Sequence, residues 1–200
     1  MRDIQVFDKV IPHGYADAIE EDLRRISFPW FYINNVTNNH YSNNAGLTHL
    51  VYDLGKDPTE WYPFIKPLVF SIVEAAGHKL VDLLRIRVGF LTPTTEATHQ
   101  HNAPHVDFLM PHYTACYYVS DSDGDTILFD QTITDMKTNE LSESTMLDYV
   151  SRTEFTVASK ITPKKGSVCV FDGRRFHAST KPKLHDRRLV ITINYIGITQ

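Results

Sequence analysis

The chain has 200 residues, of which 42% are hydrophobic and 22% charged, with a formal net charge of −4. That length suits one domain whose core needs no disulfide or metal staple, and the slightly acidic balance gives no global electrostatic reason to bind nucleic acid or an anionic membrane. Only Cys116 and Cys169 are present, each inside an apolar strand-like run, so they read as buried free thiols of a reducing compartment.

The opening "MRDIQVFDKVIPHGY" lacks the basic-then-apolar layout of a signal peptide. Within it, "IQVFDKVI" reads as a first short strand. "GYADAIEEDLRRISF" follows as a helix with Ala16, Ile19, Leu23 and Ile26 on one stripe. The Asn-rich residues 34–44 read as loop, because Asn side chains compete for the backbone and favour turns. "DPTEWYPFIKPLVFSIVEAAG" carries helix-start signals, with Asp57 at the N-cap, Pro58 at N1 and Glu60 at N3. Pro63 and Pro67 make its middle irregular, and Gly77 ends it. Its apolar part is too short to span a bilayer and contains Glu74, so the expectation is a soluble cytoplasmic protein with no membrane association.

From residue 80 the pattern changes to short apolar runs: "LVDLLRIRVGFL", "YTACYYVS", "DTILFD", "TEFTVASKIT", "SVCVFD" and "RRLVITINYIG". Pro93, Asp123-Gly124, Pro163 through Gly166 and Asp172-Gly173 separate them, which indicates a β-sandwich or barrel. A short helix is expected near "LSESTMLDYVS". With no repeats or linker, the layout is one domain over 1–200. Residues 1–79 form a helical buttress and lid loop, and residues 80–200 form a mainly β core.

"PHVDFLMPHY" (104–113) places His105 and Asp107 two residues apart, the spacing that puts both on one face of a strand. Downstream, "GSVCVFDGRRFHASTKPKLHDRRLVITINY" supplies His177. Two His and one carboxylate are the facial-triad ligand set of non-haem Fe(II) oxygenases, which leaves three octahedral positions open. In the last strand, an inward Arg188 brings Val190, Thr192 and Asn194 with it. The opposite parity buries Arg187 among Leu189, Ile191 and Ile193, at high cost for an unpaired charge. Arg188 is therefore the inward residue. Arg85 and Arg87 share one strand face, and whether either reaches the site or both face solvent stays open, as does the role of Asn194. His99, His101 and His112 read as loop residues near the pocket mouth, and loops 34–44 and 93–103 as its natural lids.

The motifs "HVD", "TACYYVSDSDGDTILFD", "PKKGSVCVFDGRRFHAS" and "RRLVITINY", spanning about residues 85–197, resemble the iron(II)- and 2-oxoglutarate-dependent dioxygenases, particularly the prolyl-4-hydroxylase-like branch. The resemblance implies a double-stranded β-helix, a jelly-roll or cupin-like barrel. It implies that His105, Asp107 and His177 hold Fe(II), that Arg188 and Tyr118 bind the C5 carboxylate of 2-oxoglutarate, and that Thr192 is a further contact. The implied reaction couples oxidative decarboxylation of 2-oxoglutarate, by O₂, to hydroxylation of an unactivated C–H bond, with ascorbate as an optional reductant. A peptidyl proline or another amino-acid side chain is the implied target, in a peptide, protein or small molecule. A nucleobase or nucleic-acid substrate rests only on the basic cluster between Lys160 and Arg188. A zinc or cupin-type hydrolase gives Arg188 and Tyr118 no task, and a non-catalytic β-barrel binding module makes the triad accidental.

Overall fold

The structure is a computed structural model that describes residues 4–37, 45–94, 101–136 and 142–200. In chain order the elements are β1 (Gln5–Phe7), α1 (His13–Arg24), β2 (Phe31–Ile33), β3 (Gly46–Asp53), α2 (Tyr62–Ala75), β4 (His78–Leu91), β5 (Tyr113–Tyr118) and β6 (Thr126–Thr132). They continue with α3 (Glu143–Arg152), β7 (Val157–Ile161), β8 (Val168–Asp172), β9 (Arg175–Ser179) and β10 (Arg188–Thr199).

Two antiparallel sheets result. The larger runs β1-β8-β5-β10-β4-β3-β2 and the smaller β7-β6-β9. Between them lie Cys116, Tyr118, Cys169, Phe171 and Val190 from the large sheet, packed against Leu128 of the small one. The outer face of the large sheet, with Ile86, Val88, Tyr117, Ile191 and Ile193, is covered by Ile19 and Leu23 of α1 and Ile65, Leu68 and Ile72 of α2. Each such side chain contributes roughly 1.5–3 kcal/mol by leaving water. The outer face of the small sheet is covered by α3, where Tyr149 stacks on Phe176 at 5.5 Å between ring centroids. This two-sheet, jelly-roll arrangement is the mainly β architecture expected from the run of short strands.

Several local expectations change. Residues 1–79 are more than a helical buttress, because β1, β2 and β3 join the large sheet. β1 pairs with β8, and β3 pairs with β4, so both ends of the sheet are closed by early residues. Helix α1 stops at Arg24 and leaves Ile26 fully exposed, while Phe28 takes the next buried place. Helix α2 starts at Tyr62, not at Pro58. The capping signals at 57–60 are overridden because the Thr59 backbone N–H is spent on the Val51 carbonyl of β3 at 3.1 Å. Pro63 then falls in the first helical turn, where its missing N–H is harmless. Gly77, at φ 68°, follows the helix and turns the chain into β4.

Candidate functional site

His105 and Asp107 do not lie on a continuous strand. Pro104 and Pro111 flank the segment and withhold backbone donors, and a single antiparallel bridge joins His105 to His177 of β9. Each backbone N–H of that pair donates to the other's carbonyl, at 3.0 and 2.9 Å. The bridge brings the imidazoles to 4.4 Å between ring centroids. Asp107 turns its carboxylate to the same point, with Oδ2 3.7 Å from His177 Nε2. Ligand atoms of His105, Asp107 and His177 all lie within 4.8 Å of one another.

The protonation states fit a cation. Burial pushes the His105 imidazole below its ordinary value and that of His177 down to about 3, so both are neutral. Nδ1 of His105 lies 3.2 Å from the Ala103 carbonyl and Nδ1 of His177 lies 3.3 Å from that of Arg175. A carbonyl only accepts, so each Nδ1 carries the hydrogen and each Nε2 keeps a free lone pair. Burial works to raise the Asp107 pKa, but the Arg85 guanidinium, with Arg87 adding to it, outweighs burial and holds the carboxyl well below the ordinary range. Two neutral imidazoles and one carboxylate are a donor set for a divalent transition metal with open positions.

Two residues the sequence left undecided shape the Asp107 carboxylate. Arg85 Nη2 donates to Oδ1 at 2.5 Å, and Asn194 Nδ2 donates to Oδ2 at 2.9 Å. Arg85 also stacks its guanidinium over Phe108, at 4.8 Å from the ring centroid. The β4–β10 register sets Arg85 opposite Asn194 and Arg87 opposite Thr192, so all four point to the inner face.

Arg188 occupies the same inner line, and the expected strand parity holds. Val190 packs between the sheets, while Leu189, Ile191 and Ile193 pack outward under the helices. Arg188 is buried, with Nε donating to the Gly124 carbonyl at 2.7 Å and Nη2 to Thr126 Oγ1 at 2.8 Å. Thr126 Oγ1 also accepts from the Tyr118 hydroxyl at 2.9 Å. Tyr118 is fully buried and a neutral phenol, since burial drives its pKa well above the ordinary value. Gly124 permits this approach: a Cβ there would stand 2.9 Å from Arg188 Cδ and 2.8 Å from the Thr180 carbonyl. Thr126 and Gly124 were not among the expected site residues. Arg187, by contrast, lies outside this cluster and pairs with Asp186 at 2.9 Å.

Two adjoining cavities open from this centre. One of about 320 Å³ is bounded by Arg85, Arg87, His105 and Asp107, with Glu143 and Met146 of α3 across from them. The other, about 60 Å³, runs between His105 and Arg188 and includes Thr192 and Arg87. Val36 and Thr37, from the first expected lid, line both. The rest of that lid (38–44) and residues 95–100 of the second, including His99, lie outside the described residues. His101 and His112 stand apart from the cluster of His105, Asp107 and His177. His101 Nδ1 bonds the Asn102 carbonyl, and His112 bonds the Met110 carbonyl and Thr114.

Seven of the nine basic residues between 160 and 188 are paired or buried, leaving Lys181 and Lys183 without an ion pair among the described residues. Lys160, Lys164, Lys165, Arg174 and Arg187 are in ion pairs with Asp125, Asp8, Asp17 and Glu20, Asp172, and Asp186. Arg175 and Arg188 are buried against carbonyls. Among the described residues no helix is long and apolar enough to cross a membrane.

No known family profile and no curated protein matches the sequence. Solved structures do. A 2OG-Fe(II) oxygenase-family oxidoreductase from Burkholderia pseudomallei aligns with TM-score 0.64 at 10% identity, over 96% of this chain and 84% of its own. A prolyl-4-hydroxylase from Pseudomonas putida aligns with TM-score 0.57 at 13% identity, over 96% and 92%. HygX from Streptomyces hygroscopicus, with nickel and 2-oxoglutarate bound, aligns with TM-score 0.54 at 16% identity, over 96% and 82%. The chain therefore has the double-stranded β-helix fold of the 2-oxoglutarate/Fe(II) oxygenases.

Proposed function

We propose that this protein is an Fe(II)- and 2-oxoglutarate-dependent dioxygenase that hydroxylates an unactivated C–H bond. The observation that carries the reading is that His105, clustered with Asp107 and His177, and Arg188 line the same narrow cavity. A zinc hydrolase needs the first group and has no use for the second.

In this reading His105 Nε2, His177 Nε2 and an Asp107 oxygen hold the iron, and Asn194 and Arg85 orient the carboxylate. Arg188 receives the C5 carboxylate of 2-oxoglutarate. Its planar fork meets a carboxylate with two parallel hydrogen bonds and keeps its charge when buried. Tyr118 and Thr126 back the guanidinium, and Thr192 flanks it on the cavity wall. When bound, iron and 2-oxoglutarate together supply the oxidant that takes hydrogen from carbon and returns hydroxyl. The chain's own part is to fix the ligand geometry, keep both imidazoles neutral and exclude water behind Val36 and Thr37. The substrate class favoured by the prolyl-hydroxylase likeness is an amino-acid side chain, peptidyl proline included. The dispersed ion pairs of residues 160–188 give a nucleic-acid substrate no support.

The test is addition of Fe(II) and then 2-oxoglutarate to metal-free protein under anaerobic conditions, followed by visible absorption. A metal-to-ligand charge-transfer band that disappears in His177→Ala is the expected result. Tight zinc binding without such a band, or no metal binding at all, would overturn the reading.

A further inference from the structure

Within the 320 Å³ cavity the charges do not balance. Arg85 is matched by Asp107 and Asn194. Arg87, two residues on along the same strand face, has neither a hydrogen-bond nor an ion-pair partner among the described residues, although its side chain is half-buried and lines both cavities. A cation held partly out of water needs an anion in the functional state. Under the dioxygenase reading, on which this inference rests, the co-substrate carboxylates are engaged by Arg188 and the metal. Arg87 is left over.

The other walls narrow the missing partner. Glu143, in the first turn of α3, is an exposed carboxylate on the same cavity, so the site presents one anion at its rim and, inside, a guanidinium whose neighbouring anion, Asp107, is already bonded to Arg85 and Asn194. Asp107 and Glu143 both disfavour a dianion such as a phosphate monoester. Leu109 and Met146 supply an apolar wall between them. We propose that the substrate is a free amino acid, whose carboxylate is received by Arg87 and whose ammonium group faces Glu143. The volume, at the low end for small-molecule pockets, suits one residue rather than a folded partner. An Arg–carboxylate contact is planar and bidentate, so Arg87 would also set which carbon faces His105 and Asp107.

The experiment uses the full chain loaded with Ni(II) and 2-oxoglutarate, titrated calorimetrically with each of the common free L-amino acids and with the matching carboxamides. At least one acid should bind at least tenfold more tightly than its amide. Arg87→Gln should lose that binding by roughly ten- to hundredfold, the range for a charge-assisted hydrogen bond, while Arg87→Lys, which keeps the charge without the fork, should retain only part of it. Because Arg87 also lines the smaller cavity, affinity for 2-oxoglutarate is measured in parallel, and in both variants it should fall much less than affinity for the acid. Three results would sink the proposal: no acid binds, acids and amides bind alike, or Arg87→Gln weakens 2-oxoglutarate instead. Failure of the Ni(II)-loaded protein to bind 2-oxoglutarate at all is a separate outcome, which removes the dioxygenase reading itself and this proposal with it.

Discussion

Arg85 and Asn194 grip opposite oxygens of Asp107, and Arg85 Nε also donates to the Asn194 side-chain carbonyl at 3.1 Å, closing a ring of three side chains. The carboxylate thus has one orientation before any metal arrives. Asn194→Ala is expected to leave the fold intact and lower Fe(II) or Ni(II) affinity roughly ten- to hundredfold, the usual effect of losing such an orienting partner. Metal titration against a competing chelator measures it, and an unchanged affinity would mean the ring does not position Asp107.

Removing Asp107 should do more than remove a ligand. Its side chain is 3% exposed and that of Arg85 17%, so Asp107→Ala leaves a largely buried guanidinium without its anion. Breaking such a pair costs about 3–5 kcal/mol. Urea unfolding should show Asp107→Ala well below wild type and Asp107→Ala/Arg85→Met close to it, with metal-dependent turnover absent from both.

Arg188→Ala and Arg187→Ala should separate cleanly. The first should weaken 2-oxoglutarate binding by about ten- to hundredfold with little change in metal affinity, since it removes a charge-assisted contact. The second removes only a contact with Asp186 and should change either affinity less than threefold. Equilibrium dialysis of Ni(II)-loaded protein distinguishes them, and the reverse pattern would shift the anchor by one residue.

Asp123 predicts a pH dependence. Burial works to raise its pKa, but the backbone N–H groups of Leu184, Lys183 and His185, at 2.9–3.0 Å, outweigh it and hold the carboxyl below its ordinary value. A depressed folded pKa gives stability that is complete above the unfolded value of about 3.9 and is lost as pH falls below it. Asp123→Asn should therefore be about 1 kcal/mol less stable than wild type at pH 6. That gap should begin to narrow as the pH falls below about 4 and go on narrowing toward the much lower folded pKa, and a gap that widened instead would contradict the assignment.

Cys116 and Cys169 are direct cross-strand partners on β5 and β8, both free and buried. Burial pushes the Cys116 thiol up to about 11 and raises that of Cys169 as well. Ellman's reagent at pH 8 should find neither thiol in the native protein and both after denaturation.

The last strand was readable because alternation leaves two choices, and only one keeps Arg188 out of the apolar layer of Leu189, Ile191 and Ile193. The same argument applied to "LLRIRVGF" would have turned Arg85 and Arg87 inward with Asn194. It was not decisive there, because the partner of Arg85 lies 22 residues away and is reached only once β4 lies beside β10. Thr126 gave no signal at all: its value comes from standing where β5, β6 and β10 meet. The start of α2 failed for the opposite reason. Local capping signals at 57–60 were present, and a tertiary hydrogen bond from Thr59 to Val51 outweighed them.

The mutual backbone bond between His105 and His177 has a practical consequence. Neither imidazole can leave the centre by main-chain movement unless both amide protons are released at once. Those two amides therefore act as a latch whose opening is visible without any substrate. Hydrogen exchange at positions 105 and 177 should slow together when a ligand seats between the rings, and a rise in one without the other would mean that the two halves of the centre come apart independently.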